Sequence, residues 1–215
     1  MSYKRSALMQ ERMEQNRETI LLSARELIAQ GGFKDAQIQA IAERAGVSSG
    51  LVYRYFDNKS QILIEVLSEA IQYEFQILNN IAASNFSAQE KLHKAVTTFV
   101  KRALNSPQLS YSLMFEPVDA SIEHERFRSK QLIKQSINQI LAEGKINGEF
   151  GFEDLNTAAL CVVGAMTFVV IEPLNPSKNV RFDQAYKDYF VKQIADFCVS
   201  GVLIKEENHS VNIQK

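Results

Sequence analysis

An all-α fold is predicted by three observations: few helix breakers, apolar residues at helical spacing, and two short helices meeting at a glycine turn. Only four prolines and nine glycines occur in 215 residues. The stretches between them are rich in Ala, Leu, Ile, Glu, Gln and Lys, which favour helix, and no alternation long enough for a strand interrupts them. The expected architecture is an N-terminal three-helix helix-turn-helix domain plus a C-terminal helical bundle, about nine helices in all. Its expected divisions are 1–58, 59–204 and a polar tail at 205–215.

The elements follow in order. Residues 1–16 are polar and expected to be frayed or extended. From Arg17, apolar residues fall at Ile20, Leu21, Ala24, Leu27 and Ile28, one face of a helix that Gly31-Gly32 stops. Two short amphipathic helices flank Ala45-Gly46-Val47, and a long helix runs from Lys59 to about Ala83. Ser87-Ala88-Gln89-Glu90 forms a capping box that opens the next helix, which ends before Asn105-Ser106-Pro107. A short helix leads to Phe115-Glu116-Pro117. Longer ones are expected from about Ser121 to Gly144, Glu153 to Ile171 and Phe182 to Ser200, the last closed by Gly201.

The chemistry is concentrated between Gln37 and Lys59. Ile38, Ile41, Ala42 and Ala45 form the inner face of the first short helix. Gly46 suits the positive φ of a sharp turn, and Val47 plugs the corner. Ser48 is placed to cap the second short helix, whose inner positions are Val52, Tyr55 and Phe56. Its outer face carries Ser49, Gly50, Leu51, Tyr53 and Arg54. Such a helix lies in the DNA major groove: Ser49 can bond base edges or phosphate, and Gly50 permits close approach. Leu51 can meet a thymine methyl, while Tyr53 and Arg54 reach phosphates or bases. Lys59 adds its charge to the free amides of a helix start, a phosphate site.

The stretch FKDAQIQAIAERAGVSSGLVYRYFDNKSQIL, residues 33–63, resembles the N-terminal domain of the TetR/AcrR family of bacterial regulators. The pattern IAxxAGVSxGxxYxYFxxK is carried by Ile41, Ala42, Ala45, Gly46, Val47, Ser48, Gly50, Tyr53, Tyr55, Phe56 and Lys59. With the preceding helix the resemblance covers residues 17–65; beyond them only size and helical layout match. It implies a homodimer reading a near-palindrome in double-stranded DNA, usually as a repressor released by a small-molecule effector in the bundle. By family position, Tyr53 and Lys59 resemble phosphate contacts, and Gln39, Ser49 and Leu51 base readers. The sequence departs from the pattern at Ala36-Gln37, where relatives place Thr or Ser. Gln37 is a poorer cap and a weaker phosphate candidate.

An effector pocket is expected among the helices from Lys59 to Gly144. Its candidate lining is Tyr73, Phe75, Phe99, Tyr111, Met114 and Phe115, with Glu116 as a polar anchor, suiting a mainly apolar ligand. In the family the last two helices pair with those of a second subunit. That implication nominates Gly164, Ala165 and Phe168, then Tyr186, Phe190 and Phe197, as interface residues; an intramolecular core is the alternative.

No catalytic constellation, glycine-rich phosphate loop or paired metal ligands are present, so neither an enzyme nor a cofactor is expected. His93, His124 and His209 are widely separated, and Glu153-Asp154 reads as negative charge at a helix start. Cys161 and Cys198 are expected as reduced, buried thiols. Net charge is −1, with nine Lys/Arg against seven Asp/Glu in residues 1–60, so the N-terminal part is slightly basic. The most apolar run, Ala158 to Ile171, is 14 residues, short of the roughly 18 of a membrane span. The expectation is a cytoplasmic protein with no membrane partner. The competing readings are a ligand-independent or activating DNA-binding protein, and a helical enzyme or interaction module using the motif only as scaffold.

Overall fold

The computed structural model describes residues 2–175 and 183–204. The start of the last helix at Phe182, the tail from residue 205 and His209 lie outside them. The described residues form ten helical segments and one isolated antiparallel bridge, Phe150 to Leu203. The helices are α1 (Ser2–Gly31), α2 (Ile38–Ala45), α3 (Ser49–Tyr55), α4 (Lys59–Ala82) and α5 (Ala88–Asn105). They continue with α6 (Pro107–Met114), α7 (Ala120–Ile146), α8 (Leu155–Phe168), the single turn α9 (Ile171–Leu174) and α10 (Gln184–Ser200).

Two hydrophobic cores are built from these elements. The first unites Ile20, Leu21, Ala24 and Ile28 of α1 with Ile41 and Ala42 of α2, then Val52 of α3 and Phe56 at its end. Ile62, Leu63, Val66 and Leu67 from the first turns of α4 close it, and Ile122 of α7 reaches in. Arg17 ties α1 to both neighbours, pairing with Glu65 of α4 and lying 5.3 Å over the Phe56 ring.

The second core surrounds α5, which buries two adjacent stripes: Ala88, Leu92, Ala95 and Phe99, then Val96, Val100, Ala103 and Leu104. A helix buried on so much of its circumference belongs at the centre of a bundle; α4, α7, α8 and α10 pack around it. The capping box at Ser87 and Glu90 forms as the spacing predicts. Glu149 accepts the next two free amides, Ala88 and Gln89, each at 3.0 Å. The buried Lys91 ammonium meets both Glu143 oxygens at 2.6 and 2.7 Å, joining α5 to α7.

Three expectations are corrected. Residues 2–16 are helical rather than extended. Residues 8–15 are all exposed, Leu8, Met9 and Met13 included, so no core-facing stripe announces this stretch, although its residues are good helix formers. Cys161 is exposed because α8 turns Ala159, Val162, Val163 and Met166 inward; Cys198 is buried, and burial pushes its thiol up to about 11. Gly201 closes α10 as expected, at φ −67°. The helix expected to reach Ile171 pauses at Val169-Val170 and resumes as α9, so the apolar helical stretch Leu155–Leu174 spans 20 residues. Its mean hydropathy of 1.9 meets the length and composition of a membrane span, and 39% of that window is buried within the bundle.

Candidate nucleic-acid interface and bundle cavity

The turn between α2 and α3 is built by backbone geometry. Gly46 sits at φ 67°, and its N–H donates to the Glu43 carbonyl while that of Val47 donates to Ala42. This paired closure requires a left-handed residue, which glycine adopts without steric penalty. Ser48 follows as cap, its hydroxyl accepting the Leu51 amide at 3.2 Å. Gln37 makes no side-chain cap for α2; its amide nitrogen bonds the Lys34 carbonyl instead, at 2.7 Å.

The face of α3 opposite its core contacts is open. Gly50, Tyr53 and Arg54 are exposed, with Tyr53 56% accessible, while Ser49 and Leu51 are half-buried. Gln37, just before α2, and Gln39 within it are also exposed. The structure thus brings Gln37, Gln39, Ser49, Gly50, Leu51, Tyr53 and Arg54 onto one two-helix unit, with Val52 and Phe56 holding it from behind. Tyr55 is half-buried, its hydroxyl accepting from the Asn16 side-chain amide at 3.3 Å. Lys59 opens α4 in a half-buried position. Burial holds its ammonium below the ordinary lysine range, and the Glu116 charge opposes that shift.

A cavity of about 220 Å³ opens between α4, α5, α6 and α7, with α1 and α8 at its edge. Leu67, Ile71, Phe99, Met114, Phe115 and Ile133 give it an apolar wall. Of the expected lining, Tyr73, Phe99, Met114 and Phe115 take part; Phe75, Tyr111 and Glu116 do not. Tyr111 packs instead on the bundle core and the Phe115 ring, with centroids 6.0 Å apart. Glu116 turns away to accept the Phe33 amide at 2.9 Å.

The polar part of the wall was missed from sequence. Arg102 donates to Glu74 at 2.8 Å and lies over the Tyr73 ring; burial raises the Glu74 carboxyl, with the Arg102 hydrogen bond acting against that shift. Arg126 is buried and grips the end of α6, bonding the carbonyls of Ser112, Leu113 and Glu116 and the Glu123 carboxylate. One signal was available: Arg126 falls on the helical face of Ile122, Ser129 and Ile133, a charge inside an apolar stripe.

The nominated interface residues lie on α8 and α10. Leu160, Gly164 and Phe168 form an exposed line, and a side chain added at Gly164 would meet no atom within 4 Å. Phe197 is 72% accessible, and Tyr186 stacks on the half-buried Phe190. Ala165 and Phe197 flank a groove between the two helices that also holds Cys161. Ile194 of α10 and Val202 just after it turn inward instead.

A helix-turn-helix presenting an open second helix, carried on a separate helical bundle, defines a DNA-binding transcriptional regulator. Residues 20–66 match the model of bacterial regulatory proteins of the tetR family. The match takes in the helix-turn-helix with its flanking helices, and the bundle beyond residue 66 lies outside it. A fatty acid metabolism regulator protein of Bacillus subtilis is 29% identical over 60% of this chain and 68% of its own length. The HTH-type transcriptional regulator SrpR of Pseudomonas putida is 29% identical over 75% and 76%. Among solved structures, FadR from Bacillus subtilis in complex with stearoyl-CoA superposes with a TM-score of 0.73 at 21% identity, covering 86% of this chain and 98% of that one. These relatives are named as regulators rather than enzymes.

Proposed function

We propose that the protein is a homodimeric repressor that reads a near-palindromic operator and is released when a mainly apolar amphiphile enters the bundle cavity. The observation carrying this reading is the double role of Leu67, which belongs to the core of the DNA-binding domain and also lines the cavity. One helix, α4, therefore starts beside the recognition helix and forms part of the cavity wall in its middle turns. A ligand that favours one position of α4 biases the placement of α3 by its difference in affinity for the two arrangements.

The functional units are 1–58 and 59–204, with α4 beginning the second while closing the core of the first. Gln39, Ser49, Gly50 and Leu51 read bases; Gln37, Tyr53, Arg54 and Lys59 hold phosphates. The exposed faces of α8 and α10 pair with a second copy, which sets two recognition helices at the roughly 34 Å spacing of successive major grooves. Displacing them from that spacing lowers affinity; a tenfold loss corresponds to about 1.4 kcal/mol of differential ligand binding. The stearoyl-CoA of the Bacillus subtilis relative supports a ligand with a long apolar chain. The protein acts in the cytoplasm, on double-stranded DNA.

The test is selection of bound fragments from the source genome with purified protein at near-physiological salt, read by sequencing. An enriched near-palindrome is expected. Uniform, salt-sensitive recovery without a motif would sink the operator reading.

A further inference from the structure

We propose that the cavity mouth binds the anionic head group, carboxylate or phosphate, of an amphiphile, held between Arg25 of α1 and Lys130 of α7. This rests on the cavity being the effector site.

The cavity's own chemistry selects the charge. Its wall carries four cations, Arg25, Arg102, Arg126 and Lys130, against one carboxylate, Glu74. Two of the cations are already committed: Arg102 to Glu74, and Arg126 to three carbonyls and Glu123. Arg25 and Lys130 have neither an ion pair nor a side-chain hydrogen bond among the described residues. Unneutralised positive charge at the edge of an apolar, low-dielectric recess focuses potential on that recess and concentrates anions there.

Size argues the same way. About 220 Å³ is less than the roughly 300–1,000 Å³ of a pocket that engulfs a drug-sized ligand. The apolar wall therefore takes a tail, and the polar end stays at the rim, where both free cations stand exposed.

The two cations also belong to different units. Arg25 lies on α1, beside the core residues Leu21, Ala24 and Ile28 of the DNA-binding domain. Lys130 lies on α7, one residue from the buried Ser129. An anion between them fixes the distance between the DNA-binding domain and the bundle. The head group thus adds a direct link between the two units to the path through Leu67 of α4, which the tail contacts.

The test compares three ten-carbon probes by isothermal titration calorimetry on the full chain: decanoate, decyl phosphate and decan-1-ol. The wild type is expected to bind at least one anion about tenfold more tightly than the alcohol, and the tighter of the two identifies the head group. Arg25→Gln and Lys130→Gln are each expected to remove that preference while leaving decanol binding unchanged. Ala70→Phe, which fills the cavity, should abolish binding of all three probes, with its fold checked by thermal melting. Equal binding of alcohol and anions, or an anion preference that survives either charge substitution, overturns the head-group site while the cavity reading stands. Failure of all three probes to bind, or binding that persists in a folded Ala70→Phe, overturns both.

Discussion

The Glu116 carboxylate accepts the backbone N–H of Phe33 at 2.9 Å, joining the loop after α6 to the loop after α1. The approach is close: a side chain at Gly32, which sits at φ 87°, would meet the Glu116 oxygens at 2.7 and 3.0 Å. The loop is anchored from its other side by Arg126, which lines the cavity and holds the Glu116 carbonyl at 2.9 Å. Cavity wall and DNA-binding domain therefore share a short chain of hydrogen bonds through α6, beside the path through α4.

Removing this link should act on stability and on coupling. Glu116→Ala leaves the amide of the buried Phe33 without its acceptor, which costs about 1–3 kcal/mol. Glu116→Gln keeps an acceptor oxygen and should recover most of that loss. Urea unfolding of the three proteins gives the comparison. Equal stability of all three would mean that water replaces the carboxylate at no cost.

Gly46 isolates a backbone effect. Nothing lies within 4 Å of a side chain built there, so Gly46→Ala adds no clash and is resisted only by its φ of 67°. The expected loss is about 1–2 kcal/mol. Gly46→Asn should lose less, because asparagine tolerates the left-handed region. Since this turn orients α3, operator affinity should fall for Gly46→Ala even under conditions where it stays folded. A stability unchanged in thermal melting would show that the turn can close in another conformation.

The helix-turn-helix was legible because its determinants are local. Gly46, the Ser48 cap and the inward Val52 and Phe56 lie within eleven residues, and their spacing alone prescribes the turn. The Ser87–Glu90 capping box was legible for the same reason. The cavity was not, since its wall draws scattered residues from six helices. An aromatic inventory finds Phe99 and Phe115 but cannot tell Phe75 from Tyr73. Long-range polar contacts were invisible too: nothing near Glu116 in the chain points to Phe33, 83 residues away. On α8 and α10 apolar residues occupy both the buried and the exposed face, so Cys161 and Cys198 looked alike although only one is buried.

Asp119 should make this junction acid-sensitive. It caps α7 and accepts the Ser60 hydroxyl of α4 at 2.7 Å. Hydrogen bonds from Ser121 and Ser60, then the Ile122 amide, hold its carboxyl at about 2, below the ordinary 3.8. A value depressed by folding stabilises the native state above the unfolded value, and that contribution disappears as pH falls from about 4 through about 2. Asp119→Ala should thus be less stable than wild type at pH 6, with the difference shrinking towards pH 2. A gap that stays constant between those pH values would mean the carboxylate charge contributes nothing at this cap.

The α8–α10 face should decide the oligomeric state. Ala165 and Phe197 border its groove, and Phe197 leaves most of its ring uncovered in the single chain. A carboxylate at either position would be desolvated without a partner if a second copy covers this face. Ala165→Asp and Phe197→Asp are therefore expected to give folded monomers by light scattering, and Gln139→Asp on the exposed side of α7 a dimer like the wild type. The monomers should lose affinity for the full operator and keep only weak, half-site binding, because the two recognition helices are no longer linked. Cys161, beside the same groove, provides an independent reading. Its thiol should react slowly with a soluble maleimide in the dimer and quickly in the Asp variants, while the buried Cys198 stays unreactive in all of them. Dimers that persist in both Asp variants would move the interface elsewhere. Rapid labelling of Cys161 in the wild-type dimer would do the same.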